Sequence, residues 1–356
     1  MHAVVLDRTG GPEALEYREL ADPVPGPRDV LVRVGAAGVC GRDLIDRRGG
    51  FPGLKLPIIL GHEFAGTVVA VGTEVVDLAV GERVANLHRP FCGACARCLE
   101  GETPDCTEAW QSFGQTVDGG YAELVVAPRG ALVRVPAAID DVHAAAVGCT
   151  AAVALRALRH EARLALGETV LVTGATGGVG TMAIQIAKLA GATVIAGTSS
   201  PDDKGDLLRR LGADHVVSTA DPRFHEAVGS VARGGVDVVL ELTGSATFPG
   251  ALRSLRQRGR MVIVGNIRTE KLSVNPGGLI LRSQSLCGSH GYTARDLADC
   301  FALMTEKRLE MVINRVLPLS EASSAHGLLA ERMAPGRVVL VPQGLLAFSQ
   351  NPSSLS

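Results

Sequence analysis

The chain predicts an α/β protein of two domains: a compact, barrel-like β domain and a doubly wound parallel sheet. Three observations lead there. At 356 residues the chain is longer than one hydrophobic core usually serves. Its first third carries short β-branched runs split by Gly and Pro, the pattern of a β domain with tight turns. From about residue 169 strand-like runs alternate with helical patterns, which calls for parallel strands joined by crossover helices.

The elements follow in order. Residues 30–34 alternate Val with Leu and Arg, and residues 66–71, 83–85 and 121–126 are similar β-branched or aromatic runs. Pro23, Pro25, Gly26 and Pro27 mark a loop before the second strand. Residues 143–158 are Ala-rich and predict a helix that bridges to the second domain. That domain is expected to hold strands at 169–173, 193–197, 215–217, 236–242 and 261–265. Helices are expected between them at 179–190, 204–211, 222–231 and 246–255. Beyond about residue 289 a helix at 294–305, a strand at 313–318, a helix at 321–329 and a strand at 338–341 are expected to return to the first domain. Residues 343–356 are polar and expected to fray.

Composition narrows the function classes. A net charge of −2 gives no reason to expect a nucleic acid or a membrane surface as partner. The N-terminus lacks a signal-peptide layout and no apolar run reads as long enough to span a bilayer, so the cytoplasm is the expected location. The eight cysteines then read as metal ligands or buried thiols rather than disulfides.

Four of them form Cys92-x2-Cys95-x2-Cys98-x7-Cys106. Four thiolates on one loop predict a closed tetrahedral zinc site, structural because no position is left for substrate. Gly61-His62-Glu63-Phe64-Ala65-Gly66 places an imidazole behind an apolar run, where it can bind a soft divalent metal. Glu63 points elsewhere on an extended chain and reads as an outer or transient partner. Cys40 follows a strand, and Asp43, three residues on, is placed to orient a ligand imidazole. Taken singly, Cys40 and Cys149 fit buried thiols equally well, and His62 a core histidine.

The stretch 174–180, Gly-Ala-Thr-Gly-Gly-Val-Gly, follows a strand and opens a helix. Gly174, Thr176, Gly177, Gly178, Val179 and Gly180 are therefore expected to bring backbone against a dinucleotide pyrophosphate. Ala175 stands where the strict motif has its first Gly. At the end of the next strand, the position expected to be acidic falls near Ser199. Ser199 and Ser200 can donate to a 2′-phosphate and Lys204 can neutralise it, which favours NADP(H) over NAD(H). The competing reading has Asp202 or Asp203 reaching the ribose.

In this order, Val-Cys-Gly-x-Asp, Gly-His-Glu-x-x-Gly, the four-Cys loop, Asp118-Gly119-Gly120-Tyr121-Ala122-Glu123 and Gly148-Cys149-Thr150 resemble the zinc-containing medium-chain dehydrogenase/reductase family, from residue 1 to about 342. The resemblance implies a GroES-like catalytic domain (1–150), a Rossmann dinucleotide domain (151–289) and a return to the catalytic domain (290–356). It implies a homodimer or homotetramer acting on a small-molecule substrate in the interdomain cleft. It makes Cys40, His62 and Cys149 ligands of a catalytic zinc, Glu63 a carboxylate that can swing onto the metal, and Cys92, Cys95, Cys98 and Cys106 ligands of a structural zinc. Arg337 would lie between the pyrophosphate and Glu63, the alternative being a solvated Arg at a strand start. Gly265 would line the nicotinamide pocket.

The sequence also departs from the family. Arg42 and Ile45 stand where the family's alcohol dehydrogenases carry a hydroxyl and often a His that pass the alcohol proton onward, and Val153 stands where a Thr commonly packs on the nicotinamide. Two reactions therefore remain open. One is a zinc-dependent alcohol dehydrogenase or carbonyl reductase. The other is a reductase of activated double bonds, since Cys40–Leu44 and the stretch 265–281 are similar to acryloyl-CoA reductases; Arg42 would then meet an anionic substrate. A dinucleotide-binding protein without catalysis is a third class, and the open ligand set argues against it.

Overall fold

The computed structural model describes residues 1–108, 111–266, 270–331 and 335–344. The chain divides into two units, Met1–Cys149 with the chain from Gly291 onward, and Thr150–His290.

The first unit is laid out around the strand Asp29–Val39. Its alternate residues Val30, Val32 and Val34 are fully buried, as a strand with one face on a core requires. It pairs antiparallel with Phe64–Val71, Leu124–Pro128 and Arg337–Val341. The sheet runs in the order Ile313–Pro318, Arg337–Val341, Asp29–Val39, Phe64–Val71, Arg83–Asn86, Leu132–Arg134. Two register shifts in the Asp29–Val39 to Phe64–Val71 ladder act as bulges that bend the sheet toward closure. A second sheet holds Leu15–Glu19, His2–Leu6 and Ile58–Ile59. Phe64 and Phe113 meet edge to face at 5.2 Å in the core, each burial contributing about 1.5–3 kcal/mol.

The strands expected in this unit lie within two or three residues of their observed bounds, except that the strand at 30–34 extends to Val39; His2–Leu6, Leu15–Glu19, Ile58–Ile59 and Leu132–Arg134 are strands the sequence reading does not place. Periodicity does not reveal the helix Gly41–Arg47. It has seven residues and opens on a glycine, so propensity is silent; its start is fixed by the Cys40 N–H donating to Asp43 Oδ2 at 2.9 Å. The helix Ala294–Thr305 and the strand Ile313–Pro318 stand at their expected bounds. The tail expected to fray lies outside the described residues beyond Gly344.

The second unit is a six-stranded parallel sheet in the order His215–Ser218, Thr193–Thr198, Thr169–Val172, Val236–Glu241, Leu255–Ile263, Ser285–Gly288. This is the strand order of a dinucleotide fold. The central strands read Thr-Val-Leu-Val and Val-Asp-Val-Val-Leu-Glu, nearly all apolar because both faces are covered. The fifth strand starts at Leu255 rather than 261, and the sixth was not expected, being a four-residue edge strand. The intervening helices are Gly178–Leu189, Pro201–Arg210, His225–Val231, Phe248–Ser254 and, before the sixth strand, Pro276–Arg282.

The Ala-rich segment is helical over Asp141–Glu161, but wider π-type turns at Gly148–Ala152 and Ala157–Glu161 interrupt its α geometry. Cys149 leaves helical geometry at φ −79°, ψ 18°, which sets its thiol at the bend. At 21 residues this helix is long and apolar enough to cross a membrane on length and composition, contrary to expectation. Its most apolar window is 83% buried within the protein, as a core helix would be.

Candidate active site

The first unit gathers its thiols, imidazoles and carboxylates at the ends of its strands. Cys40 ends the strand Asp29–Val39 and caps Gly41–Arg47. His62 and Glu63 precede Phe64–Val71. Gly61 adopts φ +93° with Tyr121 against it, so a side chain there would be both strained and blocked. His62 is buried, and its Nδ1 lies 2.9 Å from Asp43 Oδ1. Asp43 Oδ2 accepts from Cys40 N–H at 2.9 Å and from Tyr121 OH at 3.1 Å. Asn86 donates to the His62 carbonyl at 2.8 Å and accepts from Phe64 N–H at 2.6 Å, pinning the backbone on both sides of Glu63.

Glu63 is buried and paired with Arg337, which also donates to the Cys149 carbonyl at 3.3 Å. Glu63 Oε2 is buried without a hydrogen-bond partner, and His62 Nε2 lies 3.7 Å from Glu63 Oε1. Two donor sets, each with ligand atoms within 4.8 Å of one another, share His62: Cys40, His62 and Glu63, and His62, His88 and Cys149. Cys40 and Cys149 thus converge on His62 through different sets. A buried imidazole with Nδ1 held by a carboxylate, two thiols and an unsatisfied carboxylate oxygen form a donor set suited to a soft divalent metal.

The electrostatics match that picture. Burial would raise the Asp43 carboxyl, but the charge and hydrogen bond of His62 bring it down to about 2. Burial pulls the His62 imidazole down; Asp43 and Cys149 outweigh it and hold His62 well above its ordinary range. Burial pushes the Cys149 thiol up to about 12 and raises Glu63, against the pull of Arg337. Burial and then the neighbouring His62 keep His88 well below the usual histidine range. This is a pocket of protons that a cation would displace.

The four-Cys loop closes on itself. Cys92 Sγ lies 3.9 Å from Cys98 Sγ, and Cys95 Sγ 3.9 Å from Cys106 Sγ. A tetrahedral zinc with Zn–S near 2.3 Å sets its sulfurs about 3.8 Å apart, so the four fit one ion. Backbone N–H groups of Cys92, Ala94 and Cys95 point at these sulfurs.

In the second unit, the loop after Thr169–Val172 turns at Gly174, φ +58°, and the helix Gly178–Leu189 starts on Gly177. A side chain at Gly180 would lie 2.7 Å from Ala175 backbone, so the helix start packs against the loop only as glycine. Ala175 N–H donates to Gly197 O at 3.0 Å, tying the loop to the neighbouring strand. The first N–H groups of the helix are left for an anion. At the end of Thr193–Thr198, Ser199 is exposed, and Ser200 precedes the helix Pro201–Arg210 without its side chain capping it. Asp202 and Asp203 lie in the first turn of that helix and are exposed. Gly265 N–H donates to Glu241 O at 3.2 Å, against the Leu242 backbone.

Comparison with known proteins agrees with both units. Residues 26–137 match the alcohol dehydrogenase GroES-like domain, and residues 178–306 the zinc-binding dehydrogenase domain. The chain is 33% identical over 343 residues to an acryloyl-coenzyme A reductase of Sulfurisphaera tokodaii, covering 96% of this chain and all of that one. It is 34% identical to an NAD-dependent alcohol dehydrogenase of Saccharolobus solfataricus, with the same coverage of both. The crystal structure of AibC superposes with a TM-score of 0.90 at 41% identity, covering 96% of each chain. The chain belongs to the zinc-containing medium-chain dehydrogenase/reductase family. It is an oxidoreductase with a GroES-like domain and a Rossmann domain.

Arg42, one of the departures from the family pattern, pairs with the buried Asp46 at 2.7 Å and lies over the Phe51 ring, 4.9 Å from its centroid. Asp46 also accepts from Gln115 at 2.7 Å. Arg337 is buried on Glu63 and not solvated. Sequence reasoning missed His88. It stands four residues before Cys92, and the cysteine spacing drew the whole reading of that loop. It also missed His326, buried and 3.4 Å from Tyr121 OH; a lone His on a helix offers no periodic signal.

Proposed function

We propose that the protein is a zinc- and NADP(H)-dependent oxidoreductase that moves a hydride between the nicotinamide and an alcohol or carbonyl substrate. The observation that carries this reading is the convergence of Cys40, Cys149 and Glu63 on a His62 whose other nitrogen is fixed by Asp43. In this reading Cys40, His62 and Cys149 hold a catalytic zinc, and Cys92, Cys95, Cys98 and Cys106 a structural one. A zinc at the first site would polarise a substrate oxygen. Asp43 fixes the His62 tautomer so that Nε2 presents its lone pair. Arg337 balances the buried charge of Glu63, whose free Oε2 can take a proton or a ligand position.

The dinucleotide's pyrophosphate is assigned to residues 174–180, with Gly265 beside the nicotinamide. NADP(H) is favoured because no carboxylate ends the strand Thr193–Thr198, where Ser199, Ser200 and Lys204 follow. A second reading is reduction of an activated double bond, with Arg42 near an anionic substrate. Two observations favour it: neither Arg42 nor Ile45 can relay an alcohol proton, and a relative of full coverage is an acryloyl-coenzyme A reductase.

The test is oxidation of NADPH and NADH against aldehydes, ketones and 2-enoyl thioesters. Turnover of aldehydes or ketones with NADPH preferred is expected. Turnover of enoyl compounds alone would hand the assignment to the second reading, and a large NADH advantage would sink the cofactor assignment.

A further inference from the structure

We propose that His88 is a protein ligand of the same metal as His62 and Cys149, covering at rest the position a substrate oxygen would take. The proposal rests on reading this site as a metal centre. A ring nitrogen of His88 lies within 4.8 Å of the ligand atoms of His62 and Cys149. The two imidazoles lie side by side, centroids 4.6 Å apart and planes 31° from parallel. Donors around a tetrahedral ion with 2.0–2.3 Å bonds stand about 3.3–3.8 Å apart, so small side-chain shifts close this set on one ion.

The anchoring of both rings is the second argument. A metal-bound histidine normally engages its other ring nitrogen with an outer partner that fixes its tautomer. His62 does so through Nδ1 to Asp43 at 2.9 Å. His88 does so through Nε2, 3.1 Å from the buried Ser112 Oγ, which leaves Nδ1 for the metal. Ser112 is itself held, its N–H donating to Thr116 Oγ1 at 2.8 Å. Position also matters. His88 follows the strand Arg83–Asn86, whose Asn86 fixes the backbone beside His62 and Glu63, so the two histidines are positioned by one element.

Glu63 and His88 then belong to alternative sets around a shared His62. In the set of His62, His88 and Cys149 it is His88 that closes the site; Cys40, which stands in the other set, would have to move in to make a fourth donor, and an incoming oxygen then displaces His88. This separates the chain from a site held open by three ligands.

The test is cobalt substitution of the purified holoenzyme, read by its ligand-field absorption spectrum and by metal release to a chelator. His88→Ala and His88→Gln are compared with the wild type. The second variant keeps side-chain bulk, so a void cannot account for the result. Both variants are expected to change the cobalt spectrum and to release this metal about 10–100-fold faster. Added imidazole is expected to return the His88→Ala spectrum toward the wild type, which a packing role would not allow. A wild-type chain binding about two metals whose cobalt spectrum ignores both substitutions and imidazole would overturn the ligand role of His88 alone. A wild-type chain binding only the four-Cys metal would overturn the metal-centre reading and this assignment with it.

Discussion

The four-Cys loop and the His62 site are both built from groups that suit zinc, yet they are assembled in opposite ways. In the loop all donors fall within fifteen residues, 92–106, and three of the four thiols are at least partly exposed. Its only helical turns are the short Ala96–Leu99 and Thr103–Asp105. In the proposed mechanism, the ion there substitutes for a core. At the His62 site the donors come from residues 40, 62–63, 88 and 149, and the fold holds them through Asp43, Asn86, Tyr121 and Arg337. In the proposed reading the first site depends on its metal for its shape, whereas hydrogen bonds through Asp43, Asn86 and Tyr121 hold the second. A metal can therefore be lost from the second site with little change in fold.

The largest effects separate the two. His62→Ala is expected to lower kcat/KM by about 10³-fold, since several kcal/mol of substrate polarisation are at stake, and to lower the thermal melt while leaving a folded chain, because the buried Asp43 loses its partner. Cys95→Ser should leave turnover within a few-fold but open the loop, so that trypsin cuts after Arg97, a helical residue in the closed lobe. Steady-state kinetics beside limited proteolysis check both. A loss of fold in the first variant, or a protease-resistant loop in the second, would break the contrast.

The same contrast decides what the sequence can show. The four-Cys spacing was legible because the ligands share one loop. The His62 site was legible only through family likeness, since no local pattern ties residue 40 to residue 149. Arg337 was half read: its place beside Glu63 was expected, but its burial was not visible from a strand-start arginine. His88 was invisible because its partners, Ser112 and His62, are remote in sequence. The fold was more open to reading, because alternation and helical period survive in the Rossmann strands. Reading failed where elements are short, as in Gly41–Arg47 and the edge strand Ser285–Gly288, and where the bend at Cys149 hides inside a helix-forming Ala run.

A smaller effect sharpens what the outer partners contribute. Asp43 accepts from Cys40, His62 and Tyr121 at once. Asp43→Asn keeps the volume but turns one acceptor into a donor. Zinc affinity at the His62 site is expected to fall about 10–100-fold, while the four-Cys site is untouched. Chelator competition resolving two classes of zinc checks this. Equal affinity in variant and wild type would mean that packing alone orients His62.

The smallest effect is a pH dependence at the far end of the same network. Tyr121 has one proton, and it goes to Asp43 Oδ2. At its 3.4 Å contact with His326 Nε2, Tyr121 must therefore accept, so His326 is the Nε2–H tautomer with a lone pair on the buried, unpartnered Nδ1. Burial, aided by the nearby Arg47 and Arg48, lowers this imidazole from 6.5 to about 4, although Asp43 pulls the other way. The folded state thus holds His326 neutral, while the unfolded chain binds its proton from 6.5 downward. The stability this contributes is full above 6.5 and is lost as pH falls toward 4, by about 1 kcal/mol at pH 5.5. Denaturant unfolding of wild type and His326→Gln between pH 7.5 and 5.5 isolates it, because every other group is common to both. The variant should show the shallower loss; parallel curves would mean that His326 does not carry this acid limb, and that the Asp43 network ends at Tyr121.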